Sequence, residues 1–127
     1  MSEPARSGLE RCEAIVAAAF RSADPRAAFA AAARDETLSP ELRASFAAAS
    51  SDGVRIAGLL VAKLRFERLM HGSREAGERF ERDPAAFARA FRRYHAEVAP
   101  TAEGPLQEGA AFESWQRRTD GARPRDT

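Results

Sequence analysis

Apolar residues recur along this chain at steps of three and four, the period of a helix with one buried face. The most apolar stretch is DGVRIAGLLVAKLRFERLMH, Asp52 to His71. Ile56, Leu59, Leu60 and Leu64 fall on one face of it. Val61, Phe66, Leu69 and Met70 widen that stripe beyond what a helix wet on one broad side would carry. The pattern predicts a central helix over 52–71, contacted on two sides. Asp52 is placed to cap its start. Gly72 is placed to end it in the left-handed conformation, with His71 in the last turn at the negative end of the dipole.

The rest of the chain reads as helices set off by capping signals. Ser7 and Glu10 have the spacing of a capping box, opening a helix from Gly8 to Arg21 with Leu9, Cys12, Val16, Ala19 and Phe20 inward. Asp24-Pro25 and Ser39-Pro40 each pair a cap residue with a proline in the first turn. The first opens an alanine-rich helix with Phe29, running to about Arg34. The second opens one with Leu42, Phe46 and Ala49. Ser50 to Gly53 reads as a break. Ser73 caps a short helix through Arg82, with Ala76 and Phe80 inward. Gly77 weakens it by up to about 1 kcal/mol relative to alanine. Asp83-Pro84 opens a helix with Phe87, Phe91, Tyr94 and Val98 as its stripe, and Pro100 stops it. After a turn at 101–104, Pro105 starts a last helix with Leu106, Phe112 and Trp115. No strand-like alternation occurs. The expectation is an all-α, compact domain of six to seven helices spanning 7–116, with a loose N-terminus at 1–6 and a disordered tail at 117–127.

Composition narrows the function classes. Twenty basic and nineteen acidic side chains give a formal net charge of +1, which argues against a generic nucleic-acid binder. Lys63 is the only lysine. A GC-rich genome accounts for that bias, and bidentate carboxylate contacts would also exploit it. Cys12 is the only cysteine, so no intrachain disulfide forms, and its expected role is that of a small buried hydrophobe. The N-terminal residues lack the apolar core of a secretory signal. The longest apolar run is too short, and too interrupted by charge, to span a bilayer. A cytoplasmic protein is expected.

Candidate chemistry is sparse. The two histidines, His71 and His95, have too few carboxylate or thiol neighbours at helical spacing for a metal site. No nucleophile elbow and no phosphate-binding glycine loop occurs. Neither catalytic residues nor a cofactor is expected. The candidate region is an interaction surface instead. Arg89, Arg92, Arg93 and His95 flank the Phe91-Tyr94 stripe. They read either as a solvated basic face or as a positive groove for an acidic peptide or a partner's acidic loop. Phe112 and Trp115 either close the core or, in the case of Trp115, anchor a partner.

Three pieces of the chain carry a family resemblance: LLVAKLRFERLMHGS, FERDPAAFARAFRRYHAEVAP and EGAAFESW. Asp83-Pro84, Phe87, Phe91, Tyr94-His95, Pro100, Phe112 and Trp115 are the characteristic positions. The segment Leu59–Trp115 resembles small helical proteins encoded beside, or fused to, multinuclear non-haem iron-dependent oxidative enzymes. Those enzymes modify cysteines in ribosomally made precursor peptides. The resemblance implies a non-catalytic partner that docks on the oxidase and aids peptide modification, with the iron in the enzyme. Arg89, Arg92, Arg93, Tyr94, His95, Phe112 and Trp115 would then form the contact region, with no membrane and no nucleic acid involved. The competing expectation is a stand-alone helical regulator. It would bind DNA through Ser39–Met70 or form a homodimer through its broad apolar surface.

Overall fold

A computed structural model describes residues 3–100 and 104–122, which form seven helices and no strand. They are α1 (Glu3–Arg21), α2 (Pro25–Ala33), α3 (Pro40–Ala48), α4 (Ser51–Gly72), α5 (Arg74–Arg82), α6 (Pro84–Glu97) and α7 (Pro105–Ala122). The chain divides into two compact units, residues 1–62 and 63–127, and α4 contributes to both.

Four helix starts are set by local chemistry. The side chains of Asp24, Ser39, Ser73 and Asp83 each accept a hydrogen bond from the backbone N–H three residues on. Each such cap contributes about 1 kcal/mol. A fifth start differs from the expectation. Gly53 N–H donates to the Ser50 hydroxyl at 3.2 Å, so Ser50 caps α4 and Asp52 sits inside its first turn. α1 begins at Glu3, which puts Ser7 within the helix and not at its cap. Residues 1 and 2 of the expected loose N-terminus lie outside the described residues. α7 continues through Ala122, beyond Arg117 where the tail was expected, and residues 123–127 lie outside the described residues.

In the first unit, Ala32, Leu38 and Phe46 form a buried cluster. Cys12, Ile15, Val16, Phe29, Ala33 and Leu42 pack against it. The Phe29 and Phe46 rings meet edge-to-face at 5.2 Å. Cys12 is thus partly buried. Gly58 is buried, and a Cβ there would run into the Pro25 ring. Arg11 ties α1 to the α2–α3 connection by donating to the Thr37 carbonyl at 2.9 Å.

The second unit is built on aromatic rings. Phe66 meets Phe80, Phe87 and Phe91 at 5.3–5.9 Å. Phe87, Tyr94 and Trp115 each pack on Phe112. Leu69 is fully buried, whereas Phe80 keeps 36% of its surface exposed. Gly72 does not adopt the left-handed conformation, since no described glycine has positive φ. Glycine is needed there for another reason. A Cβ on Gly72 would collide with the Pro105 carbonyl, and one on Gly109 with the Gly72 carbonyl. The backbones of α4 and α7 touch at this crossing.

The central role expected for the α4 stripe is not what the structure shows. Ile56, Leu59, Leu60 and Leu64 are 48%, 60%, 53% and 63% exposed. The buried positions of α4 are Val54, Gly58, Arg65 and Leu69, on the opposite side.

An arginine-lined cleft beside a buried polar cluster

Arg65 and its partner Glu108 are buried charges of the second unit, at 2% and 0% exposure. Arg65 Nε and Nη2 donate to the two carboxylate oxygens of Glu108 at 3.0 and 3.2 Å. Its Nη1 donates to the Val98 carbonyl at 2.6 Å and lies 3.3 Å from His95 Nδ1. A guanidinium has no acceptor, so Nδ1 is the accepting nitrogen of that imidazole. Arg68 donates a second pair of bonds to Glu108, and the Tyr94 hydroxyl donates to its other oxygen. The Arg65 guanidinium also lies 4.4 Å from the centre of the Tyr94 ring.

These contacts set the protonation states. Burial alone would push the Glu108 carboxyl up, but the donors from Arg65, Tyr94 and Arg68 outweigh it and hold the group below its ordinary value. Burial, reinforced by the bond to Glu108, pushes the Tyr94 hydroxyl up to about 12. Every buried side-chain nitrogen and oxygen atom in the cluster thus has a hydrogen-bond partner, as a buried ion pair requires. Glu108 is closed to solvent, and the cluster fastens α4, α6 and α7 together.

The accessible site lies on α5, α6 and α7. Asp83 makes the corner between α5 and α6. Its N–H donates to the Arg79 carbonyl at 3.0 Å, closing α5, while its side chain accepts from Ala86 N–H at 3.1 Å, opening α6. One residue therefore ends one helix and starts the next. The corner brings Arg79 and Arg82, in the last turn of α5, beside Arg89 and Arg93 of α6. Gln116 and Asp120 of α7 complete a cleft of about 760 Å³, with Ala86, Phe87 and Ala90 also lining it.

The guanidiniums in this cleft differ in how far they are already engaged. Arg79 pairs with Glu75 at 3.0 Å. Arg82 makes one long bond, 3.5 Å, to the Glu78 carbonyl. Arg93 lies 3.8 Å from Glu97 and 5.9 Å from the centre of the Trp115 ring. Arg89 is exposed and makes no hydrogen bond or ion pair to any described residue. None of the lining side chains is a cysteine, histidine, serine or lysine. The guanidiniums equip the cleft to hold an anion.

The residues singled out from sequence separate into two groups. Arg89, Arg92 and Arg93 are exposed, and the cleft takes in Arg89 and Arg93 but not Arg92. Tyr94, His95, Phe112 and Trp115 are 0–6% exposed and belong to the interior. His95 stacks on Phe91 with ring planes 9° apart. Trp115 donates from Nε1 to Glu97 at 2.7 Å, so its polar edge is used within the chain. Sequence reasoning passed over Arg79, Arg82 and Asp120. The i, i+4 spacing of Arg89 and Arg93 was a usable signal for the cleft. Nothing local marked Arg65 or Glu108.

Among the described residues, no three His, Cys, Asp or Glu side chains stand close enough to hold a metal ion. No described helix is long and apolar enough to cross a membrane. Comparison of the chain with protein-family models, with curated proteins and with solved structures finds no match.

Proposed function

We propose that this chain is a non-catalytic accessory protein that docks on another protein through its second unit. The observation that carries this reading is the arginine cleft. It offers exposed, under-used guanidiniums at the corner between α5 and α6, and its lining side chains include no cysteine, serine, histidine or lysine. Binding is the work such a surface can do. The resemblance over Leu59–Trp115 supplies the partner class: a cytoplasmic multinuclear non-haem iron oxidative enzyme acting on a ribosomal precursor peptide. On this reading the contact runs through Arg89 and Arg93. Tyr94, His95, Phe112 and Trp115 support the surface from beneath.

Co-expression with such an oxidase, followed by size-exclusion chromatography, tests the reading. A single co-eluting complex that Arg89→Glu with Arg93→Glu disperses is the expected result. Two separate peaks for the unaltered proteins overturn it.

A second reading rests on the exposed α4 stripe. Ile56, Leu59, Leu60 and Leu64 form an apolar face of the kind that helix pairs bury. A homodimer would cover it. Light scattering at several concentrations separates this reading from the first, since only self-association raises the mass with concentration.

A further inference from the structure

We propose that the cleft on α5, α6 and α7 takes an acidic, amphipathic peptide segment of a partner protein, with carboxylates on Arg89 and Arg93 and an apolar side chain against Ala86 and Ala90. This inference rests on the docking reading and names what docks.

The arginines set the charge of the ligand. Four line the cleft against two aspartates. Asp83 already spends an oxygen on the α6 cap, and Asp120 accepts from Gln116 at 3.1 Å. Arg89 has both edges of its guanidinium available, and Arg93 is held only loosely by Glu97. The two stand one turn apart on α6, roughly 6 Å along its axis. Two carboxylates at a similar separation on a short helix or extended strand match that spacing.

The other lining groups select a peptide over a phosphate ligand. A phosphodiester backbone carries acceptors and negative charge throughout, so Asp83 and Asp120 would repel it. A peptide brings N–H donors that need acceptors, and Gln116 and Asp120 can accept them. Ala86 and Ala90 are half-buried and leave room for a side chain above them. The overall charge of +1 fits the same choice, because a nucleic-acid site draws on a broad basic excess.

The test is fluorescence anisotropy with the full chain and a short labelled peptide carrying glutamates around leucine. The controls are the same peptide with glutamine for glutamate, tripolyphosphate, and mixed-sequence DNA. Binding of the glutamate peptide alone supports the proposal. So does a loss of about tenfold or more in Arg89→Gln that Arg89→Lys does not restore, because an ammonium lacks the planar fork. Equal competition by tripolyphosphate or DNA overturns it, since the site would then be a simple anion trap. Binding indifferent to Arg89 and Arg93 also overturns it. If the oxidase complex forms but the peptide does not bind, this inference fails and the docking reading stands. If the peptide binds and no oxidase complex forms, the cleft assignment stands and the partner class falls. Both arginines are exposed, and an unchanged far-ultraviolet circular dichroism spectrum verifies that the variants fold.

Discussion

Glu108 receives the Arg65 guanidinium on both of its oxygens, across 43 residues of chain and away from solvent. The pair joins α4 to α7, and its remaining valences go to Arg68, Tyr94, His95 and Val98. Such a pair is weak as net stabilisation but costly to break, because the remaining charge is stranded without solvent.

Glu108→Gln is therefore expected to lower unfolding stability by about 3–5 kcal/mol, read from urea denaturation. Replacing the partners together, as Arg65→Met, Tyr94→Phe and Glu108→Leu, should recover much of that loss. A triple variant no more stable than Glu108→Gln would show that the site contributes packing shape and not charge pairing.

Tyr94 is the only tyrosine, so absorbance of phenolate near 295 nm reports on it alone. Its hydroxyl is raised from 10.0 to about 12 in the fold. A raised value means the stabilisation is fully present below pH 10 and is lost as pH climbs toward 12. Phenolate should appear late, together with loss of helix. Glu108 runs the other way. Its value is lowered, so its contribution is present above about pH 4.5 and disappears as pH falls through the lower folded value. Titration of Tyr94 at an ordinary pH with the fold intact would contradict its burial beside Glu108.

Two glycine-to-alanine changes should move stability in opposite directions. In Gly109→Ala the new methyl meets the Gly72 carbonyl, and α4 and α7 must separate, at a cost above the roughly 1–3 kcal/mol of ordinary overpacking. In Gly77→Ala nothing lies within 4 Å of the added carbon, so the helix gains about 0.5–1 kcal/mol. Thermal melts of the two variants give the comparison. Equal shifts would dismiss the close approach.

Leu69 and Leu64 lie five residues apart on α4 with opposite fates. Leu69→Ala should cost about 2–5 kcal/mol, and Leu64→Ala about 0.5 kcal/mol or less for the isolated chain. If the exposed stripe pairs two copies, the Leu64→Ala loss grows with protein concentration, which denaturation at several concentrations detects.

What could be read in the sequence was what depends on neighbours along the chain. Caps at Asp24, Ser39, Ser73 and Asp83 act over three residues, and each marked a helix start correctly. The all-helical class followed from them and from the apolar period. Orientation did not follow. Leu59, Leu60 and Leu64 of α4 were placed inward by their hydrophobicity, whereas Arg65 takes a buried position because an acid on α7 answers it. No period in the sequence announces that pairing. Gly72 was recognised as a punctuation point, but for backbone dihedrals and not for the Pro105 carbonyl that crowds it. Half of the cleft's four arginines were visible in Arg89 and Arg93. The rest depends on the Asp83 corner and on α7 running past Arg117 to carry Asp120.

The carboxylate that answers Arg65 and Arg68 enters only with the final helix. A partial chain ending ahead of Pro105 would hold the Arg65 guanidinium against the Tyr94 ring with no anion to quench it, and would stay loose around that seam. Arrival of α7 then acts as a latch. Assembly of this half is expected to have a defined last step, and the arginine corner gains its third wall at the same moment.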